Sequence, residues 1–238
     1  MGLYSRLPKL AIFDMDGLIF DTERLFMERK NEILRQMGYP AREEDYVKTI
    51  GLSGTLLREK LLEIYGPDYP AEEITRRTRA SLDDYAEAYG PDVKPGVEEL
   101  LRWFRDHGVP CCVASSTNRA YVEKFLRLAE LDVYFRGYAA RDLREDPCGA
   151  ALCITGGDEV ARSKPEPDIF LTACARMGVR PEDALVLEDS ENGVRAACAA
   201  HIPVICIPDL KQPSPEIAEK AAAVLPSARE VISLFGCV

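Results

Sequence analysis

A doubly wound α/β fold with one helical insertion is what this sequence of 238 residues predicts. Three observations lead there. Short apolar runs of strand length recur along the chain, and they are continuous rather than alternating, which suits strands buried on both faces of a parallel sheet. Helix-period segments separate them, the alternation expected of an α/β layer fold. The runs end in Asp, Ser or Gly, at the carboxyl ends where such sheets gather their ligands.

The strand-like runs are "KLAIFD", "VPCCVASS", "ALCITG", "DALVLED" and "IPVICIP". The helix candidates between them are Gly96 to His107, Asn118 to Ala129, Asp168 to Met177 and Asn192 to His201. Asp14, Ser115, Gly156 and Asp189 lie at strand ends. From residue 22 to about 92 helical periodicity continues without a convincing strand, so the predicted organisation is a core of 1–21 and 93–238 with a helical domain, 22–92, inserted into it. "GPDVKPG" punctuates the return to the sheet. Residues 136–150 are a polar excursion ahead of the third strand, and the C-terminal "PDLKQPSPEIAEKAAAV" reads as a Pro-rich loop leading into a short Ala-rich helix.

Composition narrows the function. The formal net charge of −10 argues against nucleic acid, because a polyanion meets repulsion instead of a basic surface. No stretch of about 18 apolar residues suggests a membrane span, and no leader pattern opens the chain. The eight cysteines form no Cys-x-x-Cys pair and mostly fall in apolar runs, which predicts buried free thiols and a cytoplasmic location. A monomer is the default for this size.

The chemistry begins at "LAIFDMDGLIFDTE". Residues two apart on an extended chain project to one side, so Asp14 and Asp16 can face one pocket while Gly17 lets the chain turn away. Two ionised carboxylates at close range repel, which either raises one pKa or requires a cation between them. A carboxylate with a raised pKa can act as a general acid, and one that stays ionised can be a nucleophile without help from a base. Asp21 is expected instead to be structural, at the hinge into the insertion, with Thr22 competing to cap its first helix. The only histidines, His107 and His201, fall at helix ends and read as structural.

"DMDGLIFD" resembles the first motif of the haloacid dehalogenase-like superfamily, and the remaining motifs follow in order: "VASST", "ARSKPEPDIF" and "LVLEDSENGV". The resemblance covers nearly the whole chain and implies a Rossmann-like core. It also assigns roles: Asp14 the nucleophile toward phosphorus, Asp16 the general acid and base, Ser115 the phosphate-binding hydroxyl with Ser116 beside it, and Lys164 the charge-neutralising ammonium. Magnesium is the implied cofactor, held by Asp14, the Asp16 carbonyl, Glu188 and Asp189. The charges themselves ask for such a hard, oxygen-seeking cation, since four carboxylates at one opening would otherwise repel a phosphate. Pro165 keeps Lys164 out of helical conformation and leaves its side chain free.

The helical insertion resembles the cap of the β-phosphoglucomutase-like branch, which implies a closed site for a small phosphorylated metabolite such as a sugar, polyol or nucleoside phosphate. The expected activity is phosphatase, through an aspartyl phosphate. Arg24, Arg29, Lys30 and Arg58 are the insertion's candidates for meeting the substrate, although a solvated helix face suits each of them better, and the small-residue loop "TIGLSGT" is the expected closing element. A phosphomutase is the alternative, weakened because Phe26 and Gly54 stand where that chemistry places a histidine and a basic residue. A regulatory protein that binds phosphometabolites without turnover is the alternative of another class.

Overall fold

The computed structural model describes residues 6–52, 54–136 and 151–236. Six strands form one parallel sheet: β1 (Leu10–Phe13), β2 (Cys111–Ser115), β3 (Ile154–Gly156), β4 (Ala184–Glu188), β5 (Val204–Cys206) and β6 (Ala223–Val224). Their order across the sheet is β3-β2-β1-β4-β5-β6. The chain winds one way from β1 to β3 and the other way from β4 to β6, so the topological switch lies between β1 and β4. Ligands of such sheets bind in that crevice.

Each predicted strand is present. The pleat explains why their apolar runs are unbroken, because alternate residues serve two different cores. Ala11, Phe13, Val113, Leu187 and Ile205 face one core, built with α5 (Val97–Asp106), α6 (Arg119–Leu128) and a C-terminal 3₁₀ turn, Ala228–Phe235. Leu10, Ile12, Cys112, Val186 and Val204 face the other, built with α7 (Asp168–Arg176) and α8 (Glu191–Ala199). Phe13 is the hinge pin of the first core, edge-on to Phe104 and Phe135 at centroid distances of 6.1 and 5.9 Å.

The C-terminal expectation is corrected. The predicted Ala-rich helix is only one turn, α9 (Pro215–Ala218), and Ala223–Val224 instead adds to the sheet edge beside β5. Helix propensity of alanine yields there to the open backbone edge of β5. Of the cysteines, Cys111, Cys112, Cys174, Cys198 and Cys206 are free, whereas Cys153 is disulfide-bonded, contrary to the expectation of free thiols. The rest of the 136–150 excursion beyond Arg136 lies outside the described residues.

The insertion is helical throughout its regular elements: α1 (Thr22–Gln36), α2 (Glu43–Val47), α3 (Gly54–Tyr65) and α4 (Ala71–Tyr89). Ile33, Leu34, Leu61, Tyr69 and Ile74 give it a small core of its own. Its two connections to the sheet run side by side, with the Asp21 amide donating to the Asp92 carbonyl and the Lys94 amide to that of Ile19, both at 2.9 Å. Among the described residues no helix is long and apolar enough to cross a membrane.

Candidate active site

The carboxyl ends of β1, β2 and β4 open into a cavity of about 610 Å³ whose opposite wall is the helical insertion. Asp14, Asp16, Ser115, Ser116, Glu188 and Asp189 all line it. Lys164 joins them from the turn ahead of α7: its ammonium bonds to Asp14 Oδ1, to Glu188 Oε1 at 2.7 Å and to the Ala114 carbonyl at 3.3 Å. The ammonium also lies over the Phe170 ring, 4.9 Å from its centroid. All the residues picked from the four motifs therefore converge.

Asp14 and Lys164 have side chains only 7% and 6% exposed, and Glu188 only 1%, so their charges interact with little help from water. Burial pushes the Asp14 carboxyl above its ordinary range, Lys164 pulls it back, and Glu188 and Asp16 push it up again. Burial alone would lower Lys164, but Asp14 and Glu188 outweigh it and hold the ammonium above its usual range. Asp189 is raised well above a normal carboxylate, by burial first and then by Glu188 and Asp14. The site carries more negative charge than one lysine compensates.

Asp14, Glu188 and Asp189 each place a carboxylate oxygen within 4.8 Å of the others. Their availability differs. Both oxygens of Glu188 already accept protein donors, Oε1 from Lys164 and Oε2 from the Ser190 amide and hydroxyl at 2.7 and 2.9 Å. Asp189 accepts no hydrogen bond from the described residues, and next to it Asp209 has a buried Oδ2 without a partner. Unpartnered hard oxygens in a buried, over-negative opening fit a magnesium-like cation, and the donor set contains no sulfur or imidazole that would favour zinc. Gly17 makes the approach possible: at φ +77° it turns the β1 loop against Asp189, where a Cβ would sit 2.4 Å from Oδ2.

Asp16 is held apart from this cluster by hydroxyls. Thr22 donates to its Oδ1 at 2.9 Å, and Thr117 and Ser115 to its Oδ2 at 2.8 and 3.4 Å. A carboxylate suspended on three rotatable hydroxyls can gain or lose a proton without losing its place. Thr22, expected to compete for capping α1, thus reaches Asp16 instead, and nothing in the sequence marks Thr117 for this contact. Asp21 pairs with Arg24 at 3.2 Å at the hinge and does not line the cavity. His107, stacked on Trp103, and His201 at the end of α8 lie outside it too.

Of the four basic candidates on the insertion, only Lys30 lines the cavity. Arg24 pairs with Asp21, Arg29 with Glu32, and Arg58 is exposed. Lys30, expected on a solvated face, is buried at 8% exposure. Thr49, Ile50, Gly51 and Leu52 of the small-residue loop also line the opening, as does Arg79 of α4, which the sequence did not single out.

A family model described as haloacid dehalogenase-like hydrolase matches residues 8–201. A Drosophila melanogaster protein named "probable pseudouridine-5′-phosphatase" is 36% identical over 84% of this chain and 81% of its own length. "Phosphoglycolate phosphatase 1" of Pseudomonas aeruginosa is 30% identical over 83% of the chain and 68% of its own. Among solved structures, a candidate β-phosphoglucomutase from Thermotoga maritima superposes with a TM-score of 0.72 at 25% identity, covering 95% of this chain and 97% of that one. The family match spans β1 to β4, the insertion and every motif brought together at the switch point, and on that ground the chain belongs to the haloacid dehalogenase-like hydrolase family, as a phosphoric monoester hydrolase whose structural neighbours include β-phosphoglucomutase-like proteins.

Proposed function

We propose that the chain is a magnesium-dependent phosphatase that hydrolyses small phosphorylated metabolites, sugar, polyol or nucleoside phosphates, through an aspartyl phosphate, an acyl phosphate formed on Asp14. The observation that carries this reading is the placement of two carboxylates with different partners at one opening: Asp14 against an ammonium, Asp16 among hydroxyls. In this reading residues 22–92 are the cap and 1–21 with 93–238 the catalytic core.

Asp14 attacks phosphorus with a carboxylate oxygen while Asp16 donates a proton to the departing alcohol oxygen, so the phosphorus–oxygen bond to the alcohol breaks as the bond to Asp14 forms. Asp16, now ionised, takes a proton from water, the water oxygen attacks phosphorus, and the bond to Asp14 breaks. Thr22 and Thr117 hold Asp16 in reach for both steps. Ser115, Ser116 and Lys164 face the transferring oxygens and stabilise their charge. Asp14, the Asp16 carbonyl and Asp189 would hold the magnesium, with Glu188, its oxygens occupied, contributing least directly, and the bound ion would supply positive charge against the carboxylates and the phosphoryl group.

Hydrolysis of p-nitrophenyl phosphate is expected to disappear on complete chelation of divalent ions and to return with added magnesium. Activity that survives chelation contradicts the reading. With β-glucose 1-phosphate the expected product is free phosphate; glucose 6-phosphate in its place marks a phosphomutase. Phe26, which lines the cavity against Tyr46, offers no proton to a sugar hydroxyl, in keeping with the phosphatase.

A further inference from the structure

The cavity's cap side contains a feature that the transfer of a phosphoryl group does not use. Lys30 on α1 lines the cavity, is more than nine-tenths buried, and makes no hydrogen bond or ion pair with the described residues. Its neighbours are the faces of Tyr46 and Tyr65, with the ammonium 5.4 and 5.9 Å from the ring centroids. Tyr46 is fixed in turn, because its hydroxyl donates to Glu23 at 2.8 Å. Ring faces attract a cation but do not satisfy its three N–H donors. Burying a cation without a counter-ion is costly, and here burial pushes the ammonium down to about 8 with no carboxylate near enough to hold it up.

The other cations of the cavity differ. Arg195 is paired with Glu191 at 3.1 Å, and Arg79 and Lys211 are solvent-exposed. Lys30 is the buried donor left open. Its position sets a reach: Thr22, one end of the same helix, touches Asp16, and Lys30 lies eight residues further, about 12 Å along the axis, with its side chain leaning back toward the N-terminus. Asp16 and Lys30 line the same cavity of about 610 Å³, which has room for a small sugar or acid backbone.

We propose that Lys30 makes the cavity select phosphomonoesters that carry a second oxyanion, a carboxylate or a second phosphoryl group, at the end away from the group being transferred. The proposal rests on the phosphatase reading above and adds the substrate's other end to it. An arriving oxyanion supplies the counter-charge that the fold withholds, so its binding to Lys30 is a charge-assisted hydrogen bond in a poorly hydrated place. Neutral analogues lack that contact and must bury the unpaired ammonium as well.

The test uses the full chain with magnesium, as wild type, Lys30→Met and Lys30→Arg. Two matched pairs are compared, 3-phosphoglycerate with glycerol 3-phosphate and glucose 1,6-bisphosphate with glucose 6-phosphate, alongside p-nitrophenyl phosphate. In wild type the member of at least one pair that carries the second oxyanion group is expected to have the lower KM. In Lys30→Met its KM rises about 10- to 100-fold more than that of its neutral partner, with Lys30→Arg recovering part of the difference. The pair that shows the split tells whether the oxyanion is a carboxylate or a phosphoryl group. No preference in either pair, or an equal loss on charged and neutral members, overturns the proposal and assigns Lys30 to packing. If wild type does not hydrolyse even p-nitrophenyl phosphate, the phosphatase reading fails separately. Calorimetric binding of 3-phosphoglycerate and glucose 1,6-bisphosphate then decides: affinity that depends on Lys30 supports the subsite, and equal affinity in wild type and Lys30→Met overturns it.

Discussion

Asp14→Asn is expected to lower kcat/KM for p-nitrophenyl phosphate by about four orders of magnitude or more while leaving the fold intact. The amide has the shape of the carboxylate but no anionic oxygen with which to attack phosphorus. Stability should not suffer, because Lys164 keeps Glu188 as its counter-ion and the crowded site loses one of its negative charges. A melting temperature equal to or above that of the wild type, with activity gone, is the expected pair of results. Retained activity removes Asp14 from the nucleophile's role.

Lys164→Met is expected to do the opposite to stability. The substitution leaves Asp14 and Glu188 buried without the ammonium that pairs with both. Breaking a buried ion pair from one side costs about 3–5 kcal/mol, which denaturant unfolding in the presence of chelator can read. The loss should shrink in excess magnesium, since a bound cation replaces part of the missing charge. Its pH dependence has a definite sign. Asp14, already raised in the folded chain, titrates higher still without Lys164, above its unfolded value near 4. A group whose folded pKa is raised binds protons more tightly when folded, so the deficit diminishes as pH falls through the folded pKa and is largest above it. Activity should fall as well, because Lys164 no longer offsets charge on the phosphoryl oxygens.

The strands of the sheet were legible because burial on both faces writes itself as uninterrupted apolar sequence, as in Leu10–Phe13 and Ala184–Glu188. Ala223–Val224 was not, since two half-exposed residues after an Ala-rich run hold no strand signal of their own; the neighbouring edge of β5 decides them. The strand-end residues Asp14, Ser115 and Asp189 could be read because their position follows from the strands. What holds Asp16 could not, as Thr22 and Thr117 reach it from opposite ends of a stretch that contains α1 through α5 and β2. Lys30 shows the same limit from the other side. Helical periodicity assigns it to a face of α1, but which face meets the cavity depends on how the insertion is laid over the sheet. Asp209, unmarked in its loop, belongs to the site through its pairing with Lys94 of the return connection and its approach to Gly17.

The central claim is that the phosphoryl group passes through Asp14. A single turnover of substrate on excess protein, quenched in acid within the first moments and mapped by peptide mass spectrometry, tests it most directly. The peptide spanning Leu10 to Arg24 is expected to carry one phosphoryl group on Asp14, transient in wild type and absent in Asp14→Asn. Phosphate released at full rate with no phosphorylated Asp14 at any quench time, or a phosphoryl group trapped on a different residue, contradicts the account.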